Sequence, residues 1–332
     1  MPVATAIAHS NIALIKYWGK RTGSPELNLP AVGSISLTLG ALTTTTKVTA
    51  DGSLADDTVS LRENGADVGA LHGKAAGRIT RFLDRIRDIA GDRRFAAIET
   101  ENDFPTGAGL ASSASGFAAL ALAAARAYGL TQTPEQLSAL ARCGSGSAAR
   151  SIYGGFVELT RGERPDGADC VARPIAPEDH WPLHVLVAVT SEAHKEVGST
   201  EGMNLSADTS PFYGPWVDTH HADMEEGKAA ILARDFDHLA DITEFSTLKM
   251  HAVMMSSRPG LVYWNGTTVA VMHEIRRWRQ AGTPVCFTMD AGPQVKAFCP
   301  ASEVEGLRER LTGIDGVLRV IHSPPGSGAR IL

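Results

Sequence analysis

The chain has 332 residues, 43% of them hydrophobic, which is enough for a sizeable core or for two domains sharing an interface. A net charge of -6 argues against a general nucleic-acid binder, yet it leaves room for anionic ligands, because a few cations and backbone N–H groups can focus positive potential in one cleft. The sequence has no run of about 18 apolar residues, no basic-then-apolar leader and no CxxC spacing, so a membrane span, a signal peptide and a structural zinc are not expected.

Residues 3–15 are mostly small and apolar, interrupted by His9, Ser10 and Asn11. Thr43 to Ala50 is rich in β-branched residues, and Val59–Leu61 follows an Asp51-Gly52 turn. This pattern predicts several antiparallel strands. From Ala75 to Ile89 the apolar spacing turns helical, through Ile79, Phe82, Leu83 and Ile86. Phe95–Thr100 reads as a strand, and Asn102 to Gly109 as a loop. Ser112 to Tyr128 is Ala-rich without Pro, which suits a closely packed helix. Thr133-Pro134-Glu135-Gln136 starts another helix, with a capping Thr and Pro at its first position.

Pro165, Pro174, Pro177 and Pro182 mark residues 161–182 as a loop and as the domain boundary. Leu183–Val189 is a buried strand, and helices are predicted around Trp216–Ala233, Phe236–Met254 and Thr268–Gln280. Val285–Met289 is a strand that stops at Asp290-Ala291-Gly292-Pro293, and Val317–Ile321 is the last strand. No internal repeat is present. Strands clustered early, without regular βαβ repetition, argue for an α+β protein of two lobes, with mixed, mainly antiparallel sheets and packed helices. The lobes are expected at 1–180 and 181–332. Cys143, Cys170, Cys286 and Cys299 read as reduced thiols in a cytoplasmic protein, and Cys286 as a packing residue.

Three segments carry candidate chemistry. The first, Pro105-Thr106-Gly107-Ala108-Gly109-Leu110-Ala111-Ser112-Ser113-Ala114-Ser115-Gly116, joins a strand to a helix. Small residues admit a ligand close to the backbone, and the helix start offers free N–H groups to an anion. Ser112, Ser113 and Ser115 can cap the helix, bind phosphate oxygens or touch a magnesium ion. No Gly-Lys-Ser/Thr follows, so this is not a Walker loop. The plain alternative is a tight loop with capping serines.

The second, Cys143-Gly144-Ser145-Gly146-Ser147-Ala148-Ala149-Arg150, repeats that logic and adds an Arg suited to bidentate recognition of carboxylate or phosphate. The third pairs two distant pieces. Asn11 to Arg21 sets Lys16, Lys20 and Arg21 beside Tyr17 and Trp18, next to an apolar strand. Asp290 ends another apolar strand, where an acid is either a turn cap or a rigidly held, ionised group in a cleft.

Taken together, NIALIKYWGKR, LNLP, SISLTL, PTGAGLASSASG, GSGSAARSIYGGFVEL, GSTEGM, DTSPFY and FTMDAGP resemble the mevalonate diphosphate decarboxylases of the GHMP kinase superfamily. These pieces lie in order from residue 11 to residue 293. The resemblance implies a GHMP-kinase-like fold, ATP and Mg²⁺ as cofactors, and mevalonate 5-diphosphate as substrate. It also implies a homodimer, with no nucleic-acid or membrane partner. ATP would phosphorylate the tertiary 3-hydroxyl; loss of phosphate and CO₂ would then give isopentenyl diphosphate.

Carried over residue by residue, the resemblance makes Asp290, Lys16, Arg150 and Asn11 the catalytic set. Arg150 would grip the substrate carboxylate and Asp290 would lie by the 3-hydroxyl. Tyr17, Lys20, Ser145, Gly146, Ser147, Ser199, Met203 and Ala291 would bind substrate. Pro105, Gly107, Gly109, Leu110, Ala111, Ser112, Ser113 and Ser115 would bind ATP, with Ser113 also at the metal. Two departures stand out: Gln294 where Asn is common, and Thr200 where many bacterial relatives place an Arg. The rival readings are a phosphomevalonate decarboxylase, a mevalonate 3-kinase that has lost the Asp/Lys/Arg set, and an inactive binding protein with a damaged site.

Overall fold

A computed structural model describes residues 2–104, 112–193 and 196–332. Its first sheet is built on β1 (Val3–Ile15) and β2 (Ser34–Asp51), which pair antiparallel over most of their length. β2 also pairs with β5 (Phe95–Asn102), which runs parallel to β3 (Thr58–Glu63); β4 (Ala66–Ala70) closes that edge. The parallel β3–β5 pair corrects the expectation of antiparallel strands throughout this region. Helix α1 (Gly73–Ala90) lies between β4 and β5 in sequence.

β6 (Phe156–Leu159) pairs with the start of β2, and β7 (Ala172–Ala176) pairs with β6. β7 lies inside the segment read as loop; its Pro174 has no N–H to donate, which suits an outer strand of the sheet. The second sheet has the order β11 (Arg319–Ser323), β8 (Leu183–Val189), β10 (Val295–Pro300), β9 (Cys286–Thr288), all antiparallel. The last strand, β12 (Arg330–Ile331), returns to β1 in the first sheet.

The Ala-rich helix α2 (Ser112–Ala127) is buried almost throughout, because its small side chains let it lie close on β1 and β2. α3 (Pro134–Gly144) starts with a capping box, in which Thr133 and Gln136 satisfy each other's backbone N–H groups. α4 (Ser199–Thr209), α5 (Tyr213–Ala233) and α6 (Phe236–Met255) follow β8. α7 (Gly266–Gln280) and α8 (Val304–Thr312) cover one face of the second sheet through Val271, Ile275, Leu307 and Leu311. A separate core joins Ile12, Leu14 and Leu37 of the first sheet to Val185 and Val187 of the second. The two sheets are thereby locked together along the strand end that carries Asn11 and Lys16.

The β1–β2 register shifts between His9 and Asn11 and again between Ala13 and Ile15. Such irregularities bend a strand and re-aim its side chains. Here they fall on either side of Asn11, and the second lies just before Lys16; both residues line the cleft.

Candidate active site

The cleft is lined by the end of β1, the 3-10 segment Gly146–Ile152, the starts of α2 and α4, one face of α1, and the Asp290-Ala291 turn. Each is held by bonds the sequence supplies. Thr288 Oγ1 donates to Ala13 O at 3.1 Å, which ties β9 to β1. Lys16 N donates to Ser246 Oγ at 3.0 Å, anchoring the same stretch on α6. Trp216 Nε1 donates to Trp18 O at 3.0 Å. These ties set Asp290, two residues past Thr288, opposite Lys16.

Lys16 Nζ lies 2.8 Å from Asp290 Oδ1, with the lysine side chain 1% and the aspartate 33% exposed. Lys296 Nζ approaches the other oxygen, Oδ2, at 3.7 Å. Burial pushes the Asp290 carboxyl up, but Lys16, Lys296 and Arg150 together overcome this and hold it at about 2. Burial brings Lys16 down to about 8 against the pull of Asp290. His251 on α6 also adjoins Asp290; burial and then Lys16 bring it down to about 3, so it stays neutral.

Arg150 is 2% exposed. Its Nη1 donates to Ser34 Oγ (2.5 Å), its Nε to Ser36 Oγ (2.9 Å), and its Nη2 and Nε to Asn11 Oδ1 (3.1 and 3.3 Å). Each guanidinium nitrogen is thus engaged by a neutral oxygen. Of the five N–H donors, one on each terminal nitrogen is left for a bidentate acceptor. Asn11 is fixed in turn, since its Nδ2 donates to Ser147 O (3.0 Å) and Ser151 Oγ (2.8 Å).

On the next wall, Ser145 Oγ donates to Ser113 Oγ at 3.2 Å and lies 3.3 Å from Ser147 Oγ. Tyr17 packs over Gly146, where a Cβ would sit 2.7 Å from the Tyr17 hydroxyl, so only glycine fits. Among the described residues that hydroxyl is buried without a partner, and burial raises it above the usual tyrosine range. Lys20 Nζ donates to Asn28 Oδ1 (2.6 Å) and Thr200 Oγ1 (3.1 Å). Burial and then the nearby Arg78 bring Lys20 down to about 8. Ser199, Met203 and Ala291 also line the cleft.

The structure therefore brings together Asn11, Lys16, Tyr17, Lys20, Ser112, Ser113, Ser145, Gly146, Ser147, Arg150, Ser199, Met203, Asp290 and Ala291. It does not bring in Ser115, which corrects its place among the phosphate-binding serines. Ser115 is fully buried, with its hydroxyl 2.7 Å from Thr44 Oγ1 and 3.2 Å from Ser10 Oγ, so it fastens α2 to the sheet. Pro105, Gly107, Gly109, Leu110 and Ala111 lie outside the described residues. Gln294 is packed behind the turn, accepting from Thr190 N (2.7 Å) and donating to Ser191 O (2.6 Å).

Sequence reasoning missed Lys296, His251 and the cations of α1. Lys74, Arg78, Arg81 and Arg85 recur at helical spacing and all line the cleft. Arg78 donates to Gly144 O through two nitrogens, at 3.2 and 2.7 Å. That i, i+4, i+7, i+11 recurrence was the available signal. Among the described residues no group of three or more His, Cys, Asp or Glu could hold a metal by itself.

Residues 8–172 match the family model "Diphosphomevalonate decarboxylase-like N-terminal domain", and residues 185–318 match "Mevalonate 5-diphosphate decarboxylase C-terminal domain". The diphosphomevalonate decarboxylase of Homo sapiens is 40% identical over 312 residues, covering 90% of this chain and 77% of the relative. That of Candida albicans is 38% identical over 310 residues, covering 89% and 83%. Among solved structures, "MDDEF in complex with MVAPP, AMPPCP and Magnesium" superposes with a TM-score of 0.90 at 37% identity, covering 99% of this chain and 98% of the other. The mevalonate diphosphate decarboxylase of Staphylococcus aureus superposes with a TM-score of 0.90 at 39% identity, covering 100% and 98%. The α+β architecture is thus the GHMP-kinase-like one, and the chain belongs to the diphosphomevalonate decarboxylase family.

Proposed function

We propose that this cleft carries out the family's reaction, the ATP-dependent decarboxylation of mevalonate 5-diphosphate. The substrate's tertiary 3-hydroxyl takes the terminal phosphoryl group of ATP, releasing ADP. The 3-phosphate then leaves, the carboxylate is lost as CO₂, and its bonding electrons form the double bond of isopentenyl diphosphate. A tertiary hydroxyl is a poor leaving group, and phosphorylation makes it a good one. The protein must then orient the carboxylate and stabilise shifting charge away from water.

One observation carries this reading: on the cleft wall the Asp290 carboxylate is met by three cations, Lys16 and Arg150 from the cleft and Lys296 from behind. That surplus of positive charge suits an anionic substrate. Arg150, with one N–H left on each terminal nitrogen, is fitted to hold the substrate carboxylate bidentately. Asp290 would sit by the 3-hydroxyl. An acid held at about 2 takes up protons weakly, so its main contribution is to stabilise positive charge as the 3-phosphate departs. Tyr17, Lys20, Ser145, Gly146 and Ser147, with Ser199 and Met203 opposite, would surround the terminal phosphates.

The reaction uses ATP and Mg²⁺, and the residues present fit them. Magnesium prefers oxygen ligands, largely from substrate phosphates and water. A single hydroxyl such as Ser113, at the start of α2, therefore suffices on the protein side. The ion supplies charge neutralisation on the transferred phosphoryl group. Ser112 and Ser113, with Pro105, Gly107, Gly109, Leu110 and Ala111, form the proposed nucleotide site.

We further read lobes at 1–180 and 181–332, supported by the separate sheets apart from β12, which returns to the first, and a homodimer in the cytoplasm, the dimer supported by the resemblance and the cytoplasm by four free cysteines. No described helix is long and apolar enough to cross a membrane. Sedimentation equilibrium tests the dimer. The decisive assay runs mevalonate 5-diphosphate and mevalonate 5-phosphate in parallel, following ADP and CO₂. A higher kcat/KM on the monophosphate would favour a phosphomevalonate decarboxylase, and no turnover of either would favour an inactive binding protein.

A further inference from the structure

Lys296 is 2% exposed, in a strand buried almost from end to end. Lysine is poorly suited to such a place, because its ammonium loses its water. Register explains what it does there. Lys296 pairs with Thr288 across β9–β10, and Asp290 lies two residues beyond Thr288. Its ammonium therefore comes to within 3.7 Å of Asp290 Oδ2, while Lys16 holds Oδ1 at 2.8 Å.

Lys16 lines the open cleft, and Lys296 does not. Lys296 opens instead on a small chamber behind the carboxylate, whose polar side is Asn11 and Asp290 and whose apolar side includes Leu39, Leu42 and Val187. Its ion pair reaches the reaction through Asp290. Of the charged and titratable groups facing Asp290, Lys16 comes from the end of β1, Arg150 from the 3-10 segment, His251 from α6 and Lys296 from β10.

We infer that Lys296 is a positioning residue for the decarboxylation: from behind, it fixes the second oxygen of Asp290, so that the first is presented to the substrate beside Lys16. The inference rests on the role proposed above for Asp290, and the test separates the two. Burial favours the neutral form of Lys296, and the Asp290 carboxylate opposes that. The pair therefore depends on both partners.

The test is a double-mutant cycle on kcat, using K296M, D290N and K296M/D290N, with K296Q and K296R alongside. K296M and K296Q should each lose about tenfold or more in kcat, with the KM for ATP within about twofold. K296R, which keeps the charge, should recover most of that loss. In the D290N background, K296M should cost no more than about twofold. Either K296M or K296Q, whichever folds, is sufficient for the comparison. A kcat within twofold of the parent in either, or additive losses in the double variant, overturns the inference. An unaltered kcat in D290N alone would instead sink the underlying reading of Asp290.

Discussion

Two buried clusters of charge in this molecule look alike on paper and differ in kind. In the first sheet's core, Arg87 is 3% exposed and its guanidinium pairs with both oxygens of the fully buried Asp57, at 2.9 and 3.1 Å, and with Asp84 at 2.6 Å. Asp57 also accepts from Ala96 N at 2.8 Å. Here one cation meets two acids, the buried one is fully engaged, and Asp84 lies 57% exposed at the rim. At Asp290 the balance is reversed: its carboxylate faces Lys16, Lys296 and Arg150 and keeps a third of its side chain open. A cluster whose buried cation and buried acid are fully engaged by each other and by the backbone holds the fold. A cluster with surplus charge and an open side is arranged for a ligand that brings the missing anions.

The largest expected effect tests that distinction at Asp290. Asp290→Asn keeps the shape and removes the charge, and should lower kcat at least about a hundredfold while ATP binding stays near normal. The variant should fold, because Lys16, already at about 8, can shed its proton once its counter-charge is gone. A capping role alone would leave Asn almost harmless, since it is itself a good turn former. A kcat within about tenfold of the parent would therefore return Asp290 to the turn.

Arg87→Met probes the other cluster and should give the opposite pattern. Removing one partner strands the buried Asp57, which costs on the order of 3 kcal/mol of stability. Urea unfolding should show that loss, while kcat per folded molecule stays at the parental value. A catalytic defect without a stability defect would erase the contrast between the clusters.

Arg150→Lys comes next. Lysine keeps the charge but lacks the planar fork, so it cannot serve Ser34, Ser36 and Asn11 and still offer two parallel N–H groups outward. The expected loss is about tenfold in kcat/KM, or roughly 1.4 kcal/mol. An unchanged kcat/KM would remove Arg150 from the substrate.

The two clusters were not equally legible in the sequence. Asn11, Lys16, Arg150 and Asp290 stand beside small-residue turns or at the end of an apolar run, and such local breaks in pattern show in one dimension. Lys296 sits inside the apolar run Val295–Pro300, and only the β9–β10 register brings it to Asp290. His251 is one polar residue in a helix whose apolar faces contact different partners, so its neighbour could not be read from spacing. In the fold, Phe82, Leu83 and Ile86 marked α1 because one face of that helix meets the core. β7, β10, α4 and α8 are short, and they follow Pro-rich or turn-rich segments that hide their periodicity. Ser115 had the composition of a phosphate-loop serine, and only its place on α2 turns it inward to Ser10 and Thr44.

The smallest expected effect concerns pH, and it sharpens what surplus charge means at the cleft's outer wall. Lys20 is brought down to about 8 by burial and by Arg78, while its unfolded value is the ordinary 10.5. Between these values the unfolded chain binds more protons at this site than the folded one. In the absence of ligand, stability from Lys20 should therefore rise as pH goes from about 8 toward 10.5. Binding runs the other way, since a phosphate needs the ammonium and the protonated fraction falls over the same range. If only the protonated form binds well, KM for the diphosphate should grow about fivefold from pH 8 to pH 9. The substrate's own charge pulls the Lys20 value upward, so the limb should appear in kcat/KM rather than in kcat. Lys20→Arg keeps the cation throughout this range and should abolish the limb, while Lys16, also at about 8, is unchanged in that variant. A KM that stays flat from pH 7 to 10 in the parent would mean that Lys20 does not meet the terminal phosphates. A limb that persists in Lys20→Arg would assign it to Lys16 and move the surplus charge inward, to the Asp290 cluster.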